Sequence, residues 1–327
     1  MCEVSAPCFV HTLETSGHQQ HTKRAQTLSK WTVQKELTYK NTSDLLRLKS
    51  PLVKSYERTL KCGAVIIQNG DRYSFWRCRT KWCRGCSNIR TADLINGYQH
   101  LLNDFVAPHM VVLTMKNCKG RELASRYTKM VHAFKLATRS ISKTHGIRVH
   151  GIRTWECTYN DWTNEYHPHF NVVVDTKEGA ELLRAYWMNY WNTRGGAKSA
   201  SIKGQFIQQI STSNDLLEVF KYATKLSVSH EEEVKAQDWI YQCTKGKRLA
   251  QPFGILKRVK IEDKAEHTEV LEGEQTMEIW DYQDEVKQYV NAYGEPMVDQ
   301  EAIEAYKAKR KKNNKTISHE YKPKTSS

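Results

Sequence analysis

Two strand-like runs separated by a short loop constrain the fold of this chain more than any other feature. Ile152-Arg153-Thr154-Trp155-Glu156-Cys157-Thr158-Tyr159 and His167-Pro168-His169-Phe170-Asn171-Val172-Val173-Val174 are rich in β-branched and aromatic residues, and only a short connection separates them. A connection of that length has no room for a crossover helix, so the two runs must pair antiparallel. Around them the apolar period alternates: strand-like over 110–115, helical over about 121–143 and 178–191, strand-like over about 199–210, and helical over about 214–226. An antiparallel hairpin among helices predicts an α+β fold with a central antiparallel sheet and flanking helices, rather than a doubly wound one.

The hairpin also carries chemistry. His167 and His169 alternate, so both imidazoles lie on one face of their strand. Closing the hairpin about the centre of its loop pairs positions that sum to about 325, which sets Glu156 opposite His169 and Thr158 opposite His167. A slip of one residue would turn Glu156 to the other face. Two imidazoles and a carboxylate with open positions suit Mn²⁺ or Mg²⁺ acting as a Lewis acid. An isolated His-x-His is more often an incidental pair on an exposed strand face; the apolar strand and the opposed carboxylate set this one apart. Pro168 requires an edge, or a place where no ladder donor is needed.

On the helix expected over 214–226, Glu218 and Tyr222 are four residues apart and Lys225 is three further on, so the three share one face. A phenol beside Lys221, Lys225 and a divalent ion deprotonates more readily and can attack phosphorus, while a neighbouring carboxylate can activate water. Taken alone, the same pattern also describes a core tyrosine on an amphipathic helix. Tyr186, Trp187, Tyr190 and Trp191 form a stripe at helical spacing that reads first as core and second as a platform for unpaired bases.

Charge and cysteines bound the partners. The net charge is +14, yet 14 acidic residues stand against 2 basic ones between Glu262 and Glu304, so the charge that attracts a polyanion lies elsewhere. No run reaches the roughly 18 apolar residues of a spanning helix and no secretory signal opens the chain, which predicts a cytoplasmic protein without membrane association. In that compartment Cys62, Cys78, Cys83 and Cys86, around a hairpin with a turn at Asn69-Gly70, read as ligands of a structural Zn²⁺, with free buried thiols as the alternative. Arg77, Arg79, Lys81, Arg84 and Arg90 nearby would grip phosphates.

Taken together, His167-Pro168-His169-Phe170, the strand Val111 to Met115, the strand Arg153 to Asn160, and Lys221-Tyr222-x-x-Lys225 resemble the rolling-circle replication initiators of small bacterial plasmids, in the HUH endonuclease class. The likeness runs from roughly Cys62 to Lys257. It implies an HUH-like fold and the branch with a single tyrosine. Tyr222 would attack origin DNA, single-stranded or in a hairpin, leaving a 5′-phosphotyrosine and a 3′-OH primer. His167, His169 and Glu156 would hold the ion, Glu218 would activate water at termination, and a host helicase and polymerase would be partners. The expected organisation is a flexible segment over 1–55, a zinc module over 56–95, a nicking domain over 96–260, an acidic and partly helical segment over 261–305, and a disordered basic tail over 306–327. A conjugative relaxase or a transposase of the same class would share the ion and the tyrosine. In a non-catalytic zinc-containing DNA-binding regulator, both histidines would be incidental.

Overall fold

The computed structural model describes residues 17–70, 72–193, 199–211, 231–257 and 277–320. They fall into two compact units, the first built from both ends of the chain and the second from its middle, including 87–257. The first unit begins with α1 (Gly17–Arg47), α2 (Val53–Leu60), β1 (Val65–Asn69) and β2 (Arg72–Phe75). β1 and β2 form the expected hairpin, with Gly70 in the left-handed region at φ +57°. The chain passes into the second unit within α3 (Arg84–Asn103), at Ser87.

That unit contains β3 (His109–Thr114), α4 (Leu123–His145), β4 (Gly151–Asn160), β5 (Glu165–Val174), α5 (Lys177–Thr193), β6 (Ile207–Gln209), α6 (Glu231–Thr244) and β7 (Ala250–Phe253). Its sheet runs β6-β3-β5-β4-β7 and every pair is antiparallel, so the α+β expectation holds. On one face Val111, Leu113, Trp155, Phe170, Val172 and Val174 join Phe134 of α4, Leu183 and Trp187 of α5, and Ala236 of α6 in the main core. On the other face Ile152 and Val173 pack with Leu94, Tyr98 and Leu102 of α3 and with Ile210. This cover reaches one end of the sheet only. Along β5 all residues from Phe170 to Val174 are buried, whereas Glu165, His167 and His169 remain half-buried on an open face.

The chain then returns to the first unit as β8 (Met277–Gln283), β9 (Gln288–Val290) and α7 (Gln300–Glu320), completing a sheet ordered β2-β1-β8-β9. β8 pairs with β1, setting Ile66 against Trp280, and Leu28, Val33, Tyr73, Tyr289 and Ile303 close a second core around them.

Several expectations from sequence change here. The segment over 1–55 was expected to be flexible, but from Gly17 to Arg47 it is helical; Leu28 and Val33 supply the few apolar contacts that a polar composition conceals. The acidic segment over 261–305, expected to be partly helical, is helical from Gln300 but also holds the strands Met277–Gln283 and Gln288–Val290, in the first of which Trp280 and Tyr282 alternate inward. The tail over 306–327 is helical as far as Glu320, and it is tied down where Lys307 Nζ lies 3.2 Å from a Glu36 carboxylate oxygen. The strand expected over 199–210 shrinks to Ile207–Gln209 because Gln205 replaces a backbone partner: its side-chain amide accepts from Thr114 N at 2.9 Å and donates to Thr114 O at 3.0 Å. The helix expected over 214–226 lies outside the described residues. Among the described residues no helix is long and apolar enough to cross a membrane.

Candidate functional site

The open end of the second sheet is built on the hairpin. β4 and β5 pair Glu156 with His169 and Thr158 with His167, the register obtained by centring the loop. Glu156, His167 and His169 therefore face the same way, with side-chain exposures of 24% for Glu156 and 13% for His169. His169 Nε2 lies 3.2 Å from Glu156 Oε2, and its Nδ1 lies 3.3 Å from the carbonyl of His167. Both partners are acceptors. A neutral imidazole donates to one of them and turns a lone pair toward the other. Asn171 Nδ2 donates to the same Glu156 Oε2 at 3.0 Å and orients the carboxylate.

His167 is held differently. Its Nδ1 lies 2.8 Å from Asn117 Oδ1, which only accepts, so the proton belongs on Nδ1 and the lone pair on Nε2. That lone pair accepts from the Thr114 hydroxyl at 2.9 Å. Burial, and the neighbouring His169, lower the His167 pKa below its ordinary value, which keeps the ring neutral and able to serve as a ligand. The two rings stand 5.5 Å apart, centroid to centroid. Imidazole and carboxylate are ligand types that suit a divalent ion, but here the His167 Nε2 lone pair is taken up by Thr114 and the ligand atoms of Glu156, His167 and His169 do not all lie within 4.8 Å of one another.

The position of Asn117 follows from Pro168. β5 is a central strand, not an edge, so a proline there needs its missing N–H to meet no acceptor. Tyr166 N donates to Cys118 O on the β3 side, and Pro168, two residues on, would point the same way. On that side the ladder breaks between Thr114–His169 and Cys118–Tyr166, leaving residues 115–117 opposite 167–168. Three residues against two make a bulge, and the bulge presents Asn117 to His167.

In the first unit the four cysteines converge. Cys62, Cys78, Cys83 and Cys86 are buried, and their sulfurs all lie within 4.8 Å of one another. Cys62 to Cys83 and Cys62 to Cys86 are each 3.6 Å, and Cys78 to Cys86 is 3.7 Å. A tetrahedron with metal–sulfur bonds of about 2.3 Å has edges of about 3.8 Å. Cys78 N and Arg79 N each donate to a cysteine sulfur at 3.3 Å. This group could hold a metal such as zinc, and among the described residues it is the one cluster of its kind with three or more such ligands.

The sequence profile of a family of replication proteins, Rep_1, matches residues 69–297, most of the chain. The chain belongs to that family. The match runs beyond Lys257 to cover β8 and β9, where the sequence resemblance stopped, and it begins after Cys62. No curated protein and no solved structure matches this replication protein.

Of the residues expected at the site, Glu156, His167 and His169 share one face and Glu156 meets His169, while His167 is held by Asn117 and Thr114; Glu218, Tyr222 and Lys225 lie outside the described residues. Trp187 and Trp191 are buried in the core and offer no platform for bases. Thr114, Asn117 and Gln205 were missed. Thr114 was legible as the residue paired with His169 on its β3 side, but the bulge that delivers Asn117 leaves no mark in the apolar period.

Proposed function

We propose that this replication protein initiates rolling-circle replication by nicking its origin with Tyr222. The observation that supports the reading is that His167, His169 and Glu156 share the open face of an antiparallel sheet, with Glu156 3.2 Å from His169, in a replication protein. These three residues would hold Mn²⁺ or Mg²⁺, which when bound supplies Lewis acidity to a phosphate oxygen. Asn117 keeps Nε2 of His167 free of a proton, and Asn171 orients Glu156. The Tyr222 phenolate attacks phosphorus; the new bond is tyrosyl O–P, the bond broken is P–O3′, and the departing oxygen takes up a proton to become a 3′-OH primer. A host polymerase extends it and a host helicase opens the duplex. At termination Glu218 removes a proton from water, which hydrolyses the phosphotyrosine. A conjugative relaxase or a transposase would share these groups, but membership of a replication family favours initiation.

The test is incubation of the full chain with a labelled hairpin oligonucleotide and Mn²⁺. A covalent protein–DNA species and a free 3′-OH end are expected. Binding without cleavage would instead support a non-catalytic DNA-binding regulator.

We further propose that Cys62, Cys78, Cys83 and Cys86 bind one structural Zn²⁺. Replacing both Cys83 and Cys86 with Ser should remove stoichiometric zinc and lower the melting temperature, since zinc bound by folded protein stabilises by about 10 kcal/mol in comparable sites. Elemental analysis of protein purified without chelator checks this: absence of zinc in the wild type overturns the assignment.

A further inference from the structure

The tip of the β4–β5 hairpin presents a tryptophan to solvent on a turn that is unusually well tied down. Trp162 is 95% exposed, the most exposed aromatic side chain among the described residues. Its backbone is fixed from several directions. Asn160 Oδ1 accepts from Trp162 N at 3.0 Å and from Thr163 N at 3.3 Å, and Asp161 Oδ1 accepts from Trp162 N at 3.0 Å. On the far side Lys119 Nζ donates to Thr163 O at 2.8 Å and to Asn164 O at 3.3 Å, while Tyr159 Oη donates to Asn164 Oδ1 at 3.2 Å. Asn164 itself occupies the left-handed region at φ +48°. A turn so fastened needs no large apolar residue at its apex for its own stability.

From this geometry we infer that Trp162 is a stacking platform for an unpaired base of the DNA strand held at the His167–His169 face. The inference rests on the nicking reading above for its location. The hairpin that carries Trp162 also carries both histidines and Glu156. From His167 to Asn164 is three residues, about 10 Å along the strand, or about three base steps of a stacked strand. An indole exposed on a rigid support loses little conformational freedom on binding and accepts any base, since every base has a flat π-face. Duplex DNA keeps its bases stacked on one another and offers no such face, so the contact selects single strands. The tip carries Asp161 and Glu165, with Glu165 3.8 Å from Lys119, so attraction of phosphates is not what this turn supplies. Stacking is the interaction left to it. The buried Trp187 and Trp191 cannot compete for the role.

Fluorescence anisotropy tests the inference with the full chain, a labelled oligothymidylate and a labelled duplex of equal length, titrated without added Mn²⁺ or Mg²⁺ so that no strand is cut. Trp162→Ala should weaken oligothymidylate binding by about 5- to 150-fold, the range for losing one stacked base. Trp162→Phe should recover most of that loss, and duplex affinity should stay within about twofold for both variants. Unchanged affinity of Trp162→Ala for oligothymidylate overturns the inference and leaves the exposed indole to a protein partner. An equal loss on the duplex overturns it as well, as does a wild type that fails to bind oligothymidylate. Because nothing is cleaved in this assay, failure of the nicking reading appears separately, as absence of the covalent species when Mn²⁺ is supplied.

Discussion

His167→Ala and His169→Ala are each expected to abolish nicking, by about a thousandfold or more, while the protein stays folded. Each removes one proposed ligand, and a Lewis acid on a transferring phosphate is worth several kcal/mol, at about 1.4 kcal/mol per tenfold in rate. Folding should survive because both rings lie at the uncovered end of the sheet, away from the packed residues 170–174 of β5. Glu156→Ala should be comparably severe, since it strips His169 Nε2 and Asn171 Nδ2 of their shared acceptor. Asn117→Ala should cost less, about 10- to 100-fold, as expected for losing a group that orients a ligand. The measurements are cleavage of a labelled oligonucleotide over a titration of Mn²⁺, and thermal unfolding of each variant. The Asn117 variant should regain rate at higher Mn²⁺, whereas the histidine variants should not. Wild-type nicking in chelator, or undiminished nicking by both histidine variants, would remove the ion from the reaction.

How much of this was legible from sequence depends on how local each signal is. The β4–β5 register was readable because a short loop and a two-residue period leave few alternatives, and that register alone brings Glu156 to His169. The sheet of the first unit was not readable. β1 and β8 are separated by most of the chain, and nothing in the local pattern of Val65 to Asn69 announces Met277 to Gln283 as its partner. Composition misled at both ends for a related reason. A segment that is polar on average can still fold if a few residues such as Leu28, Trp280 and Ile303 find one another, and a mean over the segment erases them. Trp162 escaped notice in the opposite way, since a single aromatic in a turn has no period at all; only its exposure, together with the hydrogen bonds beneath it, sets it apart.

Tyr222 and Glu218 should fail in different ways, and the difference tests the proposed division of labour. Tyr222→Phe keeps the ring and removes only the oxygen, so it should eliminate the covalent protein–DNA species and all strand transfer. Glu218→Ala leaves the nucleophile in place; initiation should continue while hydrolytic release falls by about 10²- to 10⁴-fold, as expected for losing a general base. The covalent species should then accumulate. A gel that follows the tyrosine-linked strand and the free product over time resolves the two variants, and the double variant should behave as Tyr222→Phe because hydrolysis has no substrate without the first step. If Tyr222→Phe still forms the covalent species, the nucleophile is another residue. If Glu218→Ala releases product at the wild-type rate, water is activated elsewhere or the phosphotyrosine is resolved by an incoming 3′-OH, and termination then requires no carboxylate on that segment.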